Sequence, residues 1–250
     1  MVLFDSHIHI GQFRDLYSTP QDVFDFLTKV GVDRFAVSST TTCEGDYAKV
    51  VGELKYMQKL AGNRMVPVLW LLPQVLYDGT IERMINSGIN WQCLKIHSQL
   101  HPEFWKTEEA QADIVSVAKE MKLPLLIHTG EWDGCYPEHF ENTIADNPEV
   151  LFILAHSRPV EQAIDVMRHC PNAWVDCAFT PPVCVSKMIK CGFADRIMFG
   201  TDYPLHNVFY AGENMEDLYH KIVEEIKGSM SEAEWELVSH KNFERLFGKI

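Results

Sequence analysis

Residues 93–128 read CLKIHSQLHPEFWKTEEAQADIVSVAKEMKLPLLIH, and this stretch decides the fold class. It opens with an apolar run at residues 93–97 and closes with another at residues 125–128. Between them, residues 108–121 place apolar side chains at helical spacing. Because both runs are apolar with little alternation, they are typical of parallel strands buried on both faces. The stretch therefore predicts a strand, helix and strand in succession.

The same alternation of strand and helix continues through the chain. Apolar runs predict strands at residues 2–7, 34–38, 66–72, 93–97, 125–128, 150–156, 173–177 and 196–201. Helical spacing predicts helices at residues 22–30, 47–60, 80–86, 108–121, 160–169 and 183–190. Residues 231–247 predict one or two terminal helices, opened by a capping box from Ser231 to Glu234.

Eight such units without a Gly-, Ser- or Pro-rich linker favour one closed barrel over two domains. The predicted fold is α/β, a single (β/α)8 TIM barrel with an extra C-terminal helix, as one domain over residues 1–250. An open, doubly wound sheet is the alternative. It is disfavoured because no G-x-G-x-x-G follows the first strand and no P-loop is present.

Composition narrows the class of protein. The 250 residues are 46% hydrophobic and 23% charged, which is enough apolar material for a large core. Thirty-five acidic against 22 basic residues give a formal charge of −13, so we expect no nucleic-acid partner. The sequence shows no signal-peptide pattern and no apolar run of membrane-spanning length, which predicts a cytoplasmic protein without membrane contact. Seven cysteines without a CxxC pair predict free thiols.

Ionisable side chains stand where several predicted strands end. His7 and His9 are spaced i and i+2, so both project from one face of the first strand. His128 and His156 each close an apolar run, and Asp202 follows the last one. In a barrel, these strand ends meet at one rim, where three imidazoles and a carboxylate suit a divalent cation. A lone histidine at a strand end is more often a hydrogen-bonded core residue, so this interpretation depends on the five positions together.

The fourth predicted strand places Lys95 and His97 on one face, and we expect both to face the barrel interior. Three roles stay open for Lys95: a salt bridge, contact with an anionic substrate, or, if carboxylated, a bridge to a second metal. Asp5 shares the parity of the first-strand histidines, which makes it a candidate to orient one of them. Asp176 is equally plausible as a structural hydrogen-bond partner.

Six motifs taken in chain order resemble the amidohydrolase superfamily, and within it the amidohydrolase-related group of hydrolases, decarboxylases and hydratases. They are FDSHIH (4–9), LKIH (94–97), LIHTG (126–130), ILAHS (153–157), FGTDYP (199–204) and NFERLFG (242–248). The resemblance covers nearly the whole chain. It implies a metal held by His7, His9, His128 and Asp202, with His156 as a catalytic histidine or an additional ligand. Lys95 has no clear match to the residue that bridges two metals in other members, so we expect one ion, zinc, and leave a second open.

The expected activity is metal-dependent hydrolysis of a C–N or C–O bond. The ion would lower the pKa of its water from about 15.7 towards about 7. Asp202 would take the proton as water attacks, and His156 would polarise the substrate oxygen. Nonoxidative decarboxylation or hydration is the alternative within the group, and a non-catalytic metal-binding protein is a more distant one.

The predicted partner is a small molecule, and a homo-oligomer is left open. Arg158, Lys95 and Tyr203 are the candidate substrate-binding residues. Arg158 could grip a carboxylate, although a surface salt bridge explains it equally well. A small organic acid, or its lactone or amide, is the preferred substrate class.

Overall fold

The computed structural model describes residues 2–210 and 212–248, and within these residues nine strands form one sheet. Positions 1, 211, 249 and 250 of the predicted domain lie outside the described residues. The strands are β1 (Phe4–Phe13), β2 (Leu16–Ser18), β3 (Arg34–Ser39), β4 (Met65–Leu71), β5 (Cys93–Ile96), β6 (Leu125–His128), β7 (Phe152–Ala155), β8 (Ala173–Asp176) and β9 (Ile197–Met198). All except β2 run parallel in chain order, while β2 forms an antiparallel hairpin with the last residues of β1.

Helices follow the strands around the sheet. They are α1 (Pro20–Lys29), α2 (Tyr47–Ala61), α3 (Thr80–Ile85), α4 (Pro102–Trp105), α5 (Glu108–Met121), α6 (Glu141–Asp146), α7 (Val160–His169), α8 (Pro182–Lys190), α9 (His206–Phe209), α10 (Met215–Lys227), α11 (Glu232–Glu236) and α12 (Asn242–Phe247). The predicted capping box opens α11, where Ser231 and Glu234 bond each other's backbone N–H. A π-helical turn, Leu237–Lys241, joins α11 to α12. No helix among the described residues is long and apolar enough to cross a membrane.

Backbone hydrogen bonds close the sheet into a barrel. Ser6 N donates to Phe199 O at 2.9 Å, and His9 N donates to Tyr203 O at 2.8 Å. Asp202 N donates to His7 O, also at 2.8 Å. These bonds join β1 to the segment after β9, so the first and last parallel strands are neighbours. The predicted α/β barrel is confirmed.

The core has two layers, one between the sheet and the helices and one inside the barrel, because successive side chains of each strand point to opposite faces of the sheet. Leu125 and Ile127 of β6 pack in the large cluster under the helices, whereas Leu126 packs in the smaller cluster inside the barrel. Phe243 of α12 belongs to the inner cluster, so the C-terminal helix covers one end of the barrel. In register with Leu126, Lys95 of β5 also faces the interior, as its parity predicted.

The strand β1 departs from simple alternation. Asp5 pairs with Phe35 of β3, and Ile8 pairs with Val37. Between these two pairs β1 advances by three residues and β3 by two, so the register shifts by one residue. This bulge puts Asp5 on the helix-facing side, where Tyr219 of α10 donates to its carboxylate at 2.8 Å. Asp5 therefore does not share the face of His7 and His9, contrary to the parity expectation.

Candidate metal centre

His7, His9 and Asp202 lie together at the mouth of the barrel, at the C-terminal ends of the parallel strands. Asp202 Oδ1 is 2.9 Å from His9 Nε2 and 3.3 Å from His7 Nε2. One ligand atom from each of the three residues lies within 4.8 Å of the others. The barrel closure produces this group, because the bond from Asp202 N to His7 O sets the aspartate beside β1.

Hydrogen bonds orient both histidines with Nε2 towards Asp202. His7 Nδ1 lies 2.9 Å from Asp176 Oδ2, and a carboxylate accepts, so the hydrogen of this ring is on Nδ1. His9 Nδ1 lies 3.0 Å from Ser38 Oγ. Burial, reinforced by the charge of Lys95, holds the pKa of both rings well below its ordinary value. Both imidazoles are therefore neutral, the state in which histidine binds a metal.

Asp176 supplies the orienting contact that the parity argument gave to Asp5. Its second oxygen, Oδ1, accepts from the backbone N–H of His156 at 2.9 Å and of Ala178 at 3.1 Å. One carboxylate oxygen of Asp176 thus orients the His7 ring, while the other holds the backbone of the turn after β7. Asp5 instead accepts from Thr201 Oγ1 at 2.7 Å, and burial raises its pKa to about 7. Its contacts tie β1 to the segment that closes the barrel.

Lys95 approaches the same two imidazole nitrogens. Its Nζ lies 2.8 Å from His7 Nε2 and 3.3 Å from His9 Nε2, and 4.7 Å from the centre of the Trp70 ring. The residue is 2% exposed, and burial lowers its pKa to about 8, against the opposing charges of Asp202 and Asp176. Among the described residues, no carboxylate forms an ion pair with Lys95 within 4.0 Å.

His128 and His156 form a second pair beside this group. Because a carbonyl only accepts, His156 Nδ1 donates to Ala178 O at 3.0 Å. His156 Nε2 then accepts from His128 Nδ1 at 3.1 Å. The His128 ring also stacks on His97, with ring centres 3.7 Å apart. His128 is outside the compact group of three, so its role as a fourth ligand stays a prediction.

The donor set fits a divalent cation. Asp202 Oδ1 is buried and has no hydrogen-bond partner among the described residues, although buried polar atoms are almost always paired. Two imidazole nitrogens and one carboxylate oxygen are ligands that zinc and similar ions accept. A cation bound there would satisfy the aspartate oxygen and both lone pairs.

The backbone at this mouth is held in unusual conformations. His156, Ser157, Phe179 and Asp202 have φ angles of 69°, 50°, 54° and 66°, although none is glycine. Left-handed backbone at non-glycine residues costs free energy and clusters at functional sites. All four follow the strands β7, β8 and β9, so four of the six described non-glycine residues with positive φ lie in the turns that carry the candidate site; the other two are Arg14 and Lys122.

A cleft of about 940 Å³ opens above the group, and His9, Lys95, His128, His156 and Asp202 line its floor. Its walls include aromatic residues that the sequence did not single out: Phe13, Trp70, Phe179, Phe209 and Tyr210. Of these residues, only Trp70 lies within a predicted strand, residues 66–72. In the structure it is in register with Lys95 on the neighbouring strand. Phe13 ends β1 beyond its predicted bounds, Phe209 ends the four-residue helix α9, and Phe179 and Tyr210 lie on loops, so no periodicity in the sequence indicates where these side chains point.

Of the predicted substrate-binding residues, Arg158 and Lys95 line the cleft and Tyr203 does not. Arg158 Nε is buried without a partner among the described residues, and Nη1 lies 3.8 Å from Glu131. The Tyr203 ring instead stacks on Phe26 of α1, with centres 3.9 Å apart, and is 8% exposed. Tyr203 is corrected to a packing residue, because the chain turns at Asp202 and directs the next side chain into the helix layer.

Several solved structures of enzymes share the fold of this barrel. The probable 2-pyrone-4,6-dicarboxylic acid hydrolase of Acinetobacter baumannii, solved with citric acid bound, has 12% identity and a TM-score of 0.68, with all of both chains covered. The IDCase of Metarhizium anisopliae has 13% identity and a TM-score of 0.69, over 98% of this chain and 97% of that one. The 5-carboxyvanillate decarboxylase of Novosphingobium aromaticivorans, with bound manganese, has 15% identity and a TM-score of 0.65, over 90% and 80%. At these identities the likeness shows the fold.

No curated protein sequence matches the chain. The family model described as amidohydrolase matches residues 5–249. This match indicates an enzyme. Since the match runs from the first strand to the last helix, the chain belongs to the amidohydrolase family.

Proposed function

We propose that the protein is a metal-dependent hydrolase that cleaves a C–N or C–O bond of a small, carboxylate-bearing molecule. The observation that carries this proposal is the buried, unpaired Oδ1 of Asp202, which lies beside two neutral imidazoles on the floor of the cleft. Through this oxygen the Asp202 carboxylate can hold the ion, and the carboxylate can also take a proton from water held in the cleft.

His7, His9 and Asp202 would hold the ion, with His128 as the predicted fourth ligand. When bound, a divalent cation polarises a carbonyl group and supplies hydroxide near neutral pH. The mixed nitrogen and oxygen donors favour zinc, although one structural neighbour contains manganese. We propose one ion, and metal analysis of the purified protein gives its identity and count.

Asp202 and His156 are the proposed catalytic residues. Asp202 would accept the proton of the attacking water and return it to the leaving group. His156 keeps its hydrogen on Nδ1, bonded to Ala178 O, and burial lowers its pKa to about 4. In this tautomer Nε2 is the acceptor, and it accepts from His128 Nδ1 at 3.1 Å. We therefore propose that His156 acts through Nε2 as an acceptor for a substrate donor that displaces His128 Nδ1, in place of the expectation that it polarises the substrate oxygen.

The preference for a carboxylate rests on Arg158. Its guanidinium stands at the cleft with Nε unpaired, and the contact to Glu131 at 3.8 Å is too long for a strong ion pair. A substrate carboxylate would satisfy this donor. The Acinetobacter neighbour is named for a dicarboxylic acid and holds citric acid, which agrees with this substrate class.

The proposal is tested by Asp202→Asn. We expect turnover to fall by about 10² to 10⁴-fold, the usual contribution of a positioned acid or base, while circular dichroism stays unchanged. A screen of lactones, amides and esters of small organic acids supplies the substrate. Wild-type turnover in H₂¹⁸O should place ¹⁸O in the cleaved product. An Asp202→Asn variant with full activity would exclude this base.

Nonoxidative decarboxylation is the second candidate, since one structural neighbour is a decarboxylase and carries manganese. The same floor residues would then anchor the substrate instead of activating water. Release of carbon dioxide without ¹⁸O in the organic product would favour this reaction over hydrolysis.

A further inference from the structure

Lys95 and a bound metal would compete for the same two lone pairs. The Lys95 ammonium only donates, so each Nε2 that it contacts is an acceptor. The hydrogen on His7 Nδ1, bonded to Asp176, requires the same tautomer, and His9 Nδ1 lies 3.0 Å from Ser38 Oγ. Lys95 Nζ lies at 2.8 Å from the Nε2 of His7 and at 3.3 Å from that of His9. A metal ligated by both histidines needs these same lone pairs.

The charges of the buried group lead to the same conclusion. Asp202 and Asp176 are buried acidic residues beside the histidines, and the lysine ammonium can balance one negative charge. A divalent cation balances two. Ammonium and dication together would leave excess positive charge among residues that are at most 5% exposed, which is costly.

The cleft has room for the Lys95 side chain to move away from the two histidines. Lys95 lines the open volume of about 940 Å³, and its ammonium stands over the Trp70 ring, which also lines that volume. A rotation of this unbranched side chain would bring Nζ into the cleft, which Arg158 also lines.

We propose that Lys95 is the resident cation of the centre in the metal-free protein, and that metal loading requires it to leave His7 and His9. The lysine thereby weakens metal affinity and holds the two imidazoles in place when no metal is bound. When the ion enters, the lysine moves to the substrate side of the cleft. This inference rests on the proposed metal-dependent function.

The test compares metal binding by the wild type and Lys95→Met, which keeps the length of the side chain and removes the ammonium. After chelation and dialysis, Zn²⁺ and Mn²⁺ are titrated into each protein by calorimetry. We expect Lys95→Met to bind at least about tenfold more tightly, the size expected for losing one competing charge-assisted hydrogen bond. Lys119→Met, which removes an exposed lysine paired with Glu149 on the helix side, is the matched control and should leave affinity unchanged.

The outcomes separate this inference from the proposed function. If both proteins bind metal and Lys95→Met binds no more tightly, the inference is overturned while metal dependence stands. Weaker binding by Lys95→Met, with a wild-type mass higher by one CO₂, would make Lys95 a ligand and also overturn it. Metal binding by Lys95→Met alone would support the inference and contradict metal dependence of the native enzyme, and binding by neither would contradict both.

A second measurement uses the wild-type protein, in case the substitution prevents folding. A crystal structure of the metal-loaded protein should show Nζ beyond hydrogen-bond distance of both imidazoles and displaced towards the cleft. A lysine that stays bonded to His7 and His9 beside a bound ion would refute the inference.

Discussion

Asp176 controls the candidate centre although it is not a proposed ligand. It accepts from His7 Nδ1 and thereby decides which nitrogen of that ring faces the cleft. We expect Asp176→Asn to weaken metal affinity by about 10 to 100-fold, the usual cost of losing a partner behind a ligand histidine. Calorimetric titration of Zn²⁺ measures this, with the exposed Asp165→Asn as control. Equal affinities in the two variants would show that His7 needs no such partner.

Arg158 is the residue that should discriminate between substrates. Because its Nε is buried and unpaired, a substrate carboxylate would gain a charge-assisted hydrogen bond there. We expect Arg158→Ala to raise KM for carboxylate substrates by about 10 to 100-fold, with a smaller change in kcat. Neutral analogues that lack the carboxylate should show no such difference, and Arg168→Ala, on the exposed face of α7, should behave as wild type. A uniform loss for charged and neutral substrates would remove the carboxylate assignment.

At the scale of the element, α10 holds the barrel closed from outside. Tyr219 of α10 donates to Asp5 Oδ2, while Thr201 donates to the same buried carboxylate. Removing one donor from a buried acceptor costs about 1 to 3 kcal/mol. We therefore expect Tyr219→Phe to lower the free energy of unfolding by that amount in urea. Tyr56→Phe, which removes an exposed hydroxyl bonded to Gln21, should cost little, and similar costs for both would contradict a special role for Asp5.

Sequence patterns predicted most elements, and the failures have physical causes. Apolar runs predicted all eight parallel strands. The predicted bounds of α5, Glu108 and Met121, are those that the structure shows. The helix α10 was missed, although its buried residues Leu218, Tyr219, Val223 and Ile226 keep helical spacing. Strand β2, with its hairpin, and the short helices α4, α6 and α9 were not predicted either. Strand β2 and the helices α4 and α9 have only three or four residues, too few for a period to show.

The candidate site was predictable in its position more than in its detail. Strand ends brought His7, His9 and Asp202 together as expected. The parity argument for Asp5 was wrong because of the bulge in β1. One extra residue in a strand exchanges the faces towards which the residues on either side of it point. Tyr203 failed for a related reason, because Asp202 has a left-handed backbone and strand alternation does not continue through it.

At the scale of the whole molecule, metal should act as a structural ligand. The proposed ligands come from the first strand and from the segment after the last, so an ion bound there would join the two ends of the barrel. A ligand that binds only the folded state stabilises it by about 2.7 kcal/mol at a hundredfold excess over Kd. We expect Zn²⁺ to raise the melting temperature of the chelated protein and EDTA to reverse it. The Asp202→Asn variant should gain less, and an equal gain would exclude this aspartate as a ligand.

The three backbone bonds between β1 and residues 199–203 also position the side chains of the centre. Here the junction between the two chain ends coincides with the reacting groups, so partial fraying would inactivate the enzyme before it unfolded. Loss of activity on mild heating should accordingly precede loss of helix signal.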